Sequence, residues 1–417
     1  MKAEILSIGD ELLIGQVINS NAAHISHALN AIGIEVSKVT TIGDDEKEIL
    51  AAMKEAWQKN DVVVATGGLG PTHDDISKLV VAKFFKKKLL LDKKTLAHVR
   101  ARFRSFGIKK MPEVNIGQAM IPQSFKALRN DRGTAPGLLY QDKKKTFIIL
   151  PGVPHEMSWL MGQWVIPELR KLHKKKLGQA IVHRTLLTIG IGESILAEKI
   201  GDVKKFLETG ATLAFLPKTS GVRLRISVRD RSETTAKIKI AKIEKYIRMR
   251  VESSIYGIDD QTLEEVVFGL LNKTGATLST AESCTGGMLS MRMTNMPGSS
   301  DVFIGGIVSY TNLIKTSELG VPKELIEKFG AVSEECAVAM AEGALKKFGT
   351  TYSVAITGIA GPGGGTKEKP VGTVWIALAE RSKPTIARSF RFGGGRNIVR
   401  ERSTDLALEI LRKRLLE

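Results

Sequence analysis

The chain has 417 residues and a formal net charge of +18, with 43% hydrophobic and 25% charged residues. Its length is that of two or three domains, and its composition is that of a folded protein rather than a disordered one. No apolar run approaches the roughly 18 residues of a membrane span, early acidic residues interrupt any signal peptide, and two cysteines are too few for a disulfide framework. We therefore expect a cytoplasmic protein without membrane contacts.

The positive charge is concentrated in the first part of the chain. Residues 1–257 carry +17 and residues 258–417 carry +1, while residues 173–257 alone carry +10. Such an excess is typical of a protein with an anionic partner, which includes nucleic acid, a membrane surface and a phosphorylated metabolite. The alternative is a basic surface that is simply solvated.

Residues 1–172 alternate between strand and helix patterns. A strand ends before Gly9, and Asn19-Ser20-Asn21 can cap the next helix. Alternation of this kind predicts a parallel sheet with helices on both faces. The predicted strands are Lys2–Ile8, Glu35–Ile42, Asp61–Ala65 and Lys143–Leu150, and a further helix is predicted over Glu46–Gln58.

A basic break at Leu172–Lys176 marks the boundary of a second segment, residues 173–257. Val222–Val228 alternates strictly between apolar and polar residues, as a half-buried strand does. A lysine-rich helix is predicted over Thr234–Arg250. This segment is predicted to be a small α+β domain.

Residues 258–417 form the third segment. A helix is predicted over Leu263–Lys273, and three predicted strand ends carry glycines. These ends lie within Thr280–Gly287, Phe303–Tyr310 and Val354–Pro362. The pattern indicates a second α/β domain.

A glycine-rich turn follows the strand predicted over Asp61–Ala65. Glycines at such a turn let backbone N–H groups approach an anion closely. A tight turn without a ligand is the alternative, because glycines are common at strand ends. The residues assigned here to phosphate binding are Gly67, Gly68, Gly70 and Thr72.

Acidic residues surround the same turn. Carboxylates beside a phosphate site suit a divalent metal ion that bridges phosphate oxygens, and the carboxyl ends of parallel strands open into one crevice. Alternatively, the acidic pair after the second strand caps the next helix, and His155-Glu156 is a surface or capping pair. The predicted metal ligands are Asp44, Asp45, Asp74, Asp75 and Glu156.

Ser283 lies at a predicted strand end, followed by Cys284-Thr285-Gly286-Gly287. A serine at such a turn can act as a nucleophile, with nearby N–H groups as oxyanion donors. Residues 184–417 contain no histidine, so the base must be another group, and lysine is the known substitute. Lys315 is the candidate base. The alternatives are a helix-capping serine, a solvated lysine, and Cys284 as the nucleophile.

Several motifs, in the same order along the chain, resemble the competence/damage-inducible CinA family. They are Ile8–Gly15, Gly67–Asp75, Pro151–Met157, Gly190–Ser194, Ala281–Gly287, Tyr310–Lys315 and Thr357–Pro362. The resemblance implies a molybdopterin-binding-like first domain with metal-dependent ADP-ribose pyrophosphatase activity and a KH-like middle domain. It implies that the last domain converts nicotinamide mononucleotide to nicotinic acid mononucleotide and ammonia, with catalytic residues at Ser283, Tyr310 and Lys315.

The predicted fold class is therefore α/β, with two α/β domains of mainly parallel sheets (1–172 and 258–417) joined by the small α+β, KH-like domain of residues 173–257. The predicted protein is a homodimeric, bifunctional enzyme of pyridine-nucleotide recycling. Its first domain uses Mg²⁺ or a similar ion, and its amidase domain uses no cofactor. The residues assigned to binding the amidase substrate are Thr285, Gly286, Gly287, Thr357, Gly358, Gly361, Arg396 and Arg400.

Two other functions compete with this prediction. A non-catalytic molybdopterin- or nucleotide-binding protein would also use the glycine-rich turn, but it would leave the serine and lysine without a role. A nucleic-acid-binding protein would use the basic middle segment, although a KH domain that clamps nucleic acid carries a Gly-x-x-Gly loop. That loop is missing from residues 173–257.

Overall fold

The computed structural model describes residues 1–72, 75–142, 145–173, 180–207, 210–230 and 232–417. The chain divides into two compact units. The first unit comprises Met1–Val182 and Arg229–Lys237, and the second comprises His183–Val228 and Ile238–Glu417. No helix within the described ranges combines the length and the apolar character that crossing a membrane requires.

The first unit contains eight strands and seven α-helices in its described residues. The strands are β1 (Lys2–Ile8), β2 (Glu35–Ile42), β3 (Val62–Thr66), β4 (Leu89–Leu91), β5 (Met120–Pro122), β6 (Lys126–Leu128), β7 (Gly137–Asp142) and β8 (Lys145–Leu150). The α-helices are α1 (Asp10–Leu13), α2 (Ser20–Asn30), α3 (Glu46–Lys59), α4 (Ser77–Phe84), α5 (Lys93–Ser105), α6 (Pro154–Leu160) and α7 (Ile166–His173), with a 3-10 helix at Glu113–Ala119 and a π-helical turn at Met161–Val165.

Six of these strands form one sheet in the order β2-β1-β3-β8-β7-β6. The first four are parallel, and β7 and β6 extend the sheet in antiparallel fashion. The predicted strands Lys2–Ile8 and Glu35–Ile42 are confirmed. The cap predicted within Asn19-Ser20-Asn21 is also confirmed, and the structure assigns it to Asn19, whose side chain accepts from the amide of Ala22.

Side chains from the central strand β3 enter two hydrophobic cores, one on each face of the sheet. Val62 and Val64 pack on the face covered by α2, whereas Val63 and Ala65 pack with residues of α3. Because successive strand residues point to opposite faces, a strand buried on both sides is apolar throughout. The carboxyl ends of β1, β3 and β8 therefore meet at one edge of a well-packed sheet.

The remaining elements lie wholly or mostly in the second unit, although β9, β11 and α10 each include a few residues of the first. The strands are β9 (Ala180–Thr188), β10 (Ala211–Lys218), β11 (Gly221–Asp230), β12 (Ile255–Ile258), β13 (Leu278–Glu282), β14 (Phe303–Val308), β15 (Tyr352–Gly358), β16 (Thr373–Glu380) and β17 (Lys383–Arg391). The α-helices are α8 (Glu193–Ile200), α9 (Lys204–Leu207), α10 (Glu233–Val251), α11 (Leu263–Thr274), α12 (Met288–Thr294), α13 (Asn312–Leu319), α14 (Lys323–Phe329), α15 (Glu334–Phe348) and α16 (Arg396–Leu416), with 3-10 turns at Glu252–Ser254 and Ser299–Asp301.

The middle segment folds as a four-stranded sheet in the order β10-β11-β9-β12. In β11, Leu224 and Ile226 are buried, whereas the alternate Arg223 and Arg225 are exposed. The period-2 strand predicted from the sequence is therefore confirmed. Ile189, just after β9, is 5% exposed and lies in the same hydrophobic core as residues of α11 and α16.

The last segment is built on a five-stranded sheet in the order β14-β13-β15-β16-β17. The strands β14, β13 and β15 are parallel, and β16 and β17 are antiparallel additions. One face packs against α11 and α16, and alanines of the other face pack against α15. The predicted fold class, two α/β modules and a small α+β module, is confirmed.

Candidate functional site

Ser283 is the first residue after β13, at the carboxyl end of a central parallel strand. The chain then turns sharply into α12. Gly286 and Gly287 adopt φ values of 61° and 89°, a left-handed conformation that side-chain-bearing residues rarely adopt. The glycines therefore allow the sharp turn directly after the serine. Ser283 is 8% exposed, so most of its surface is covered by protein.

The buried side chain of Glu282 holds this turn in place. Its carboxylate accepts hydrogen bonds from the amides of Leu289 (3.0 Å) and Ser290 (2.8 Å) and from the Ser290 hydroxyl (2.6 Å). These are amides of the first turn of α12, which otherwise have no partner in a helix. The sequence analysis did not assign Glu282 a role. The signal for it was the acidic residue at the end of an otherwise uncharged strand.

Lys315 reaches the serine from α13. Its Nζ donates to Ser283 Oγ at 3.1 Å and to the Ser309 carbonyl oxygen at 2.7 Å. Thr311 caps α13 with its side-chain oxygen and so fixes where the helix begins, one turn before the lysine. Lys315 is only 1% exposed, and this burial lowers the pKa of its amine. Lowering the pKa of an amine increases the share of its neutral form, which is the form that can accept a proton.

Cys284 also lies in the turn, but its surroundings differ. The side chain is 5% exposed, and burial raises the pKa of its thiol to about 11. At neutral pH the group is therefore a thiol, and the thiolate is the nucleophilic form of cysteine. The hydroxyl that contacts Lys315 belongs to Ser283.

Tyr310 lies near the solvent edge of this site, with 57% of its surface exposed. Its hydroxyl accepts a hydrogen bond from Arg396 Nη2 at 2.9 Å, and Arg396 Nη1 donates to the Gly361 carbonyl oxygen at 3.0 Å. The tyrosine hydroxyl and the arginine thus form a pair, which the sequence did not predict. Arg396 is itself exposed.

Arg400, one helical turn further along α16, contacts the serine turn. Its Nε and Nη2 both donate to the Thr285 carbonyl oxygen, at 3.2 and 2.8 Å. Thr285 is fully buried, and its hydroxyl has no hydrogen-bond partner within the described part of the chain. Arg400 therefore supports the turn, while Arg396 remains the more accessible cation.

The other residues assigned to binding shape the loop after β15. The Thr357 hydroxyl donates to the Ala331 carbonyl oxygen at 2.7 Å. A Cβ atom on Gly358 would lie 2.7 Å from Val374 Cγ2, and one on Gly361 would lie 2.6 Å from Val371 Cγ1. Glycine at both positions is therefore required by packing, whatever ligand the loop binds.

In the first unit, the glycine-rich turn lines a cavity of about 520 Å³. A Cβ atom on Gly67 would lie 2.0 Å from the Ile8 carbonyl oxygen, so this position needs glycine. The cavity lies at the carboxyl ends of β1, β3 and β8, where ligands bind in open parallel sheets. Its walls include these predicted residues: Gly67, Gly68, Gly70, Asp44, Asp75 and Glu156.

The carboxylates predicted to bind metal already have protein partners. Asp75 accepts from the amides of Gly70 (2.8 Å) and Thr72 (2.9 Å) and from the Thr72 hydroxyl. Glu156 accepts from Asn130 Nδ2 at 2.6 Å, and Asp44 accepts from the amide of Asp10 at 3.2 Å. Hence Asp44, Asp75 and Glu156 share one cavity, but each is held in a separate interaction.

Asp45 points elsewhere, because its carboxylate caps α3 by accepting from two amides of the first turn. Asp74 lies outside the described residues. Over the described ranges, no group of three or more histidine, cysteine or acidic side chains is placed to hold a metal ion. Because Asp74 is outside the described residues, the predicted set of ligands is incomplete here and the metal site stays a prediction.

A buried serine–lysine pair in one α/β module and a glycine-lined cavity in another define a multidomain protein with two candidate small-molecule sites. Residues 4–171 match the family model described as a probable molybdopterin binding domain, residues 183–257 match the damage-inducible protein CinA KH domain, and residues 260–415 match the CinA C-terminal domain.

Full-length relatives agree with these matches. A CinA-like protein of Kosmotoga olearia is 44% identical over 416 residues, covering 100% of this chain and 99% of the relative. A putative competence-damage inducible protein of Clostridium botulinum is 43% identical over 415 residues, covering 100% of both chains. The chain therefore belongs to the CinA family, and the resemblance seen in its motifs is confirmed.

Among solved structures, the competence/damage inducible protein CihA from Agrobacterium tumefaciens is 42% identical. The match between the two structures covers 37% of this chain and 94% of the other, with a TM-score of 0.36.

Proposed function

We propose that the last module is a nicotinamide-nucleotide amidase that uses Ser283 as nucleophile and Lys315 as base. The observation that carries this proposal is the buried contact between Lys315 Nζ and Ser283 Oγ at 3.1 Å. The same amine donates to the Ser309 carbonyl oxygen. These two contacts together fix the position of Nζ beside the serine hydroxyl. Such a pair is what a serine nucleophile needs when no histidine is present.

In the first half-reaction, Ser283 Oγ attacks the carboxamide carbon of nicotinamide mononucleotide, and the neutral amine of Lys315 takes the hydroxyl proton. The carbonyl oxygen becomes an oxyanion, which we assign to backbone amides of the turn at Thr285 and Gly287. The Gly286 amide in the same turn donates to the Ser283 carbonyl oxygen at 3.1 Å. When the tetrahedral intermediate collapses, the C–N bond breaks. The ammonium group of Lys315 returns its proton to the departing nitrogen, which leaves as ammonia.

The second half-reaction releases the acid. Water attacks the acyl-serine ester, Lys315 takes a proton from it, and the C–O bond to Ser283 breaks. The same lysine then reprotonates Ser283, so the enzyme returns to its starting state and the product is nicotinic acid mononucleotide. One base thus serves both steps in alternation.

The phosphate of the substrate is assigned to Arg396 rather than to Arg400. Arg400 uses Nε and Nη2 on the Thr285 carbonyl oxygen, whereas Arg396 is exposed beside Tyr310 and keeps further N–H groups for a phosphate. In this proposal Tyr310 orients Arg396.

The test of the whole proposal is release of ammonia from nicotinamide mononucleotide by the purified protein. No release above the rate without enzyme would refute it.

We expect the rate of ammonia release to rise with pH and to level off below the pH at which an ordinary lysine, with a pKa of about 10.4, loses its proton. The active base is the neutral amine, so loss of a proton creates active enzyme. Burial lowers the pKa of Lys315, which moves this rise toward neutral pH. The measurement is kcat against pH at constant ionic strength. A rise centred at or above the ordinary lysine pKa would contradict the assignment.

We infer a second activity for the first unit, hydrolysis of ADP-ribose to AMP and ribose 5-phosphate. Its support is the cavity of about 520 Å³ at the glycine turn, where close backbone approach suits a diphosphate. A divalent ion, if it binds near Asp74 and Asp75, would offset the charge of the phosphates. The chain's own contribution is the loop that the Asp75 carboxylate holds closed around Gly70 and Thr72.

We expect a chelator to leave ammonia release unchanged and to abolish ADP-ribose cleavage. In the serine turn, both oxygens of the Glu282 carboxylate accept hydrogen bonds from α12, and the proposed chemistry is carried by a hydroxyl and an amine. Both activities are measured on the same preparation with and without EDTA, and Mg²⁺ is then restored. Loss of ammonia release that Mg²⁺ reverses would contradict the metal-free amidase, and ADP-ribose cleavage that survives EDTA would contradict the metal assignment.

A further inference from the structure

A second cavity lies next to the glycine-turn cavity in the first unit. It has a volume of about 410 Å³ and is lined by residues of α5, of β6 and of the loop between β6 and β7. Thr134 of that loop lines both cavities. The two spaces are therefore separated only by a short stretch of loop, and together they suit a ligand of two parts joined by a linker.

Asn130 fixes the loop that separates the two cavities. It is 1% exposed, and its side-chain oxygen accepts from the amides of Arg132 and Gly133. Its Nδ2 donates to Glu156, on the wall of the first cavity, and its carbonyl oxygen contacts His98 Nε2 at 2.8 Å, on the wall of the second. The loop is thus anchored to both cavities by one buried residue.

The loop also contacts the wall of the first cavity through Gly133. A Cβ atom on Gly133 would lie 2.0 Å from Glu156 Oε2, so the loop backbone packs closely against that carboxylate. Thr134, the next residue, is common to the linings of the two cavities. A ligand that fills both must pass Thr134.

The chemistry of the second cavity suits a nucleoside. Ala127 and Pro136 give apolar surface, and Arg129 gives a guanidinium plane on which a base can stack. Arg129 Nε donates to Asp131 at 2.7 Å, which holds the group. A carbonyl oxygen can only accept, so His98 donates from Nε2 in the contact with Asn130, and its other ring nitrogen is the group that we assign to a ribose hydroxyl.

We propose that the cavity around His98 and Arg129 is a second subsite, which takes the nucleoside end of a nucleoside-diphosphate ligand whose diphosphate lies at the Gly67–Gly70 turn. This inference rests on the proposed function of the first unit and names which part of its substrate each cavity recognises. The volume of the second cavity lies within the range of about 300–1,000 Å³ that is typical of small-molecule sites.

The test compares Arg129→Glu with Arg132→Glu in the full-length protein, using calorimetry in the presence of Mg²⁺. Arg129 is 64% exposed at its side chain, so its replacement should not disturb folding, which circular dichroism checks. Arg132 is exposed on the same loop and lines neither cavity. The Arg132→Glu variant therefore measures how much the change of charge on the loop alone alters ligand affinity. The probes are ADP-ribose, ADP and inorganic pyrophosphate, and only the first two carry a nucleoside.

We expect Arg129→Glu to weaken binding of ADP-ribose and ADP about tenfold or more, the equivalent of about 1.4 kcal/mol, and to change pyrophosphate affinity no more than Arg132→Glu does. An equal loss for pyrophosphate, or an equal effect of Arg132→Glu on ADP, would overturn the subsite. If the wild-type protein binds ADP but does not cleave ADP-ribose, the proposed hydrolysis fails while the ADP comparison still decides the subsite. If the wild-type protein binds neither nucleotide, both proposals fall.

Discussion

Replacing Ser283 with alanine should reduce ammonia release from nicotinamide mononucleotide by about four orders of magnitude or more, as removal of a catalytic nucleophile does. The substitution deletes only the hydroxyl that contacts Lys315 Nζ. The side chain is 8% exposed and the turn is held independently by Glu282, so the fold should persist. The measurement is kcat for the variant, with circular dichroism as the check on folding.

The matched control is Cys284→Ala, which removes the other nucleophilic side chain of the same turn. We expect it to keep most of the activity, because burial raises the pKa of the thiol to about 11 and the thiol is unreactive when protonated. Loss of activity in Cys284→Ala with an intact fold, or full activity in Ser283→Ala, would move the nucleophile one residue along the chain.

Replacing Lys315 with methionine should lower kcat by at least about 10²-fold, the usual contribution of a general base. Methionine keeps much of the volume of the lysine stem in its buried position but has no amine. Since the serine and lysine act as one unit, the double variant should be little slower than the slower of the two single variants. A double variant whose loss equals the product of the two single losses would show that they act separately.

The same substitution should raise thermal stability at neutral pH, by about 2 °C or more if the gain is near 1 kcal/mol. Burial lowers the pKa of Lys315 in the folded state, so the unfolded chain binds the proton more readily. The buried lysine therefore lowers the free energy of unfolding. This effect is at its full size below the pKa of the folded state and disappears as pH rises through the ordinary lysine pKa. The advantage of the variant, measured by calorimetry, should therefore shrink at alkaline pH. Lys315→Arg is the control, since it keeps a charge that is always present.

The sequence predicted the elements whose patterns are local. The alternation of Val222–Val228 and the helix cap within Asn19-Ser20-Asn21 each depend on neighbouring residues, and both are confirmed. The antiparallel hairpin of β16 and β17 was not predicted. Its placement beside β15 depends on a pairing between distant residues, such as Ile356 with Ile376, that no local pattern records.

In the candidate site, too, some features could be predicted from the sequence and others depend on contacts between distant residues. Ser283 and Lys315 were selected by chemistry, because a chain without histidine after residue 183 leaves few bases for a serine. The Ser309 carbonyl that positions the lysine and the Arg396 contact to Tyr310 come from the tertiary fold. A backbone oxygen has no sequence signature, and the arginine lies 86 residues from the tyrosine that it contacts.

The position of Ile189 in the core of the last module has a thermodynamic consequence. This side chain follows β9 of the middle segment, yet it lies in the same hydrophobic cluster as Leu263 and Leu411. Loss of structure in either segment would expose apolar surface that the two share, so we expect them to melt in a single cooperative transition. Changes in the middle segment are then limited by the stability of the last module. An Ile189→Ala change, far from any reacting atom, should lower the melting temperature of that module.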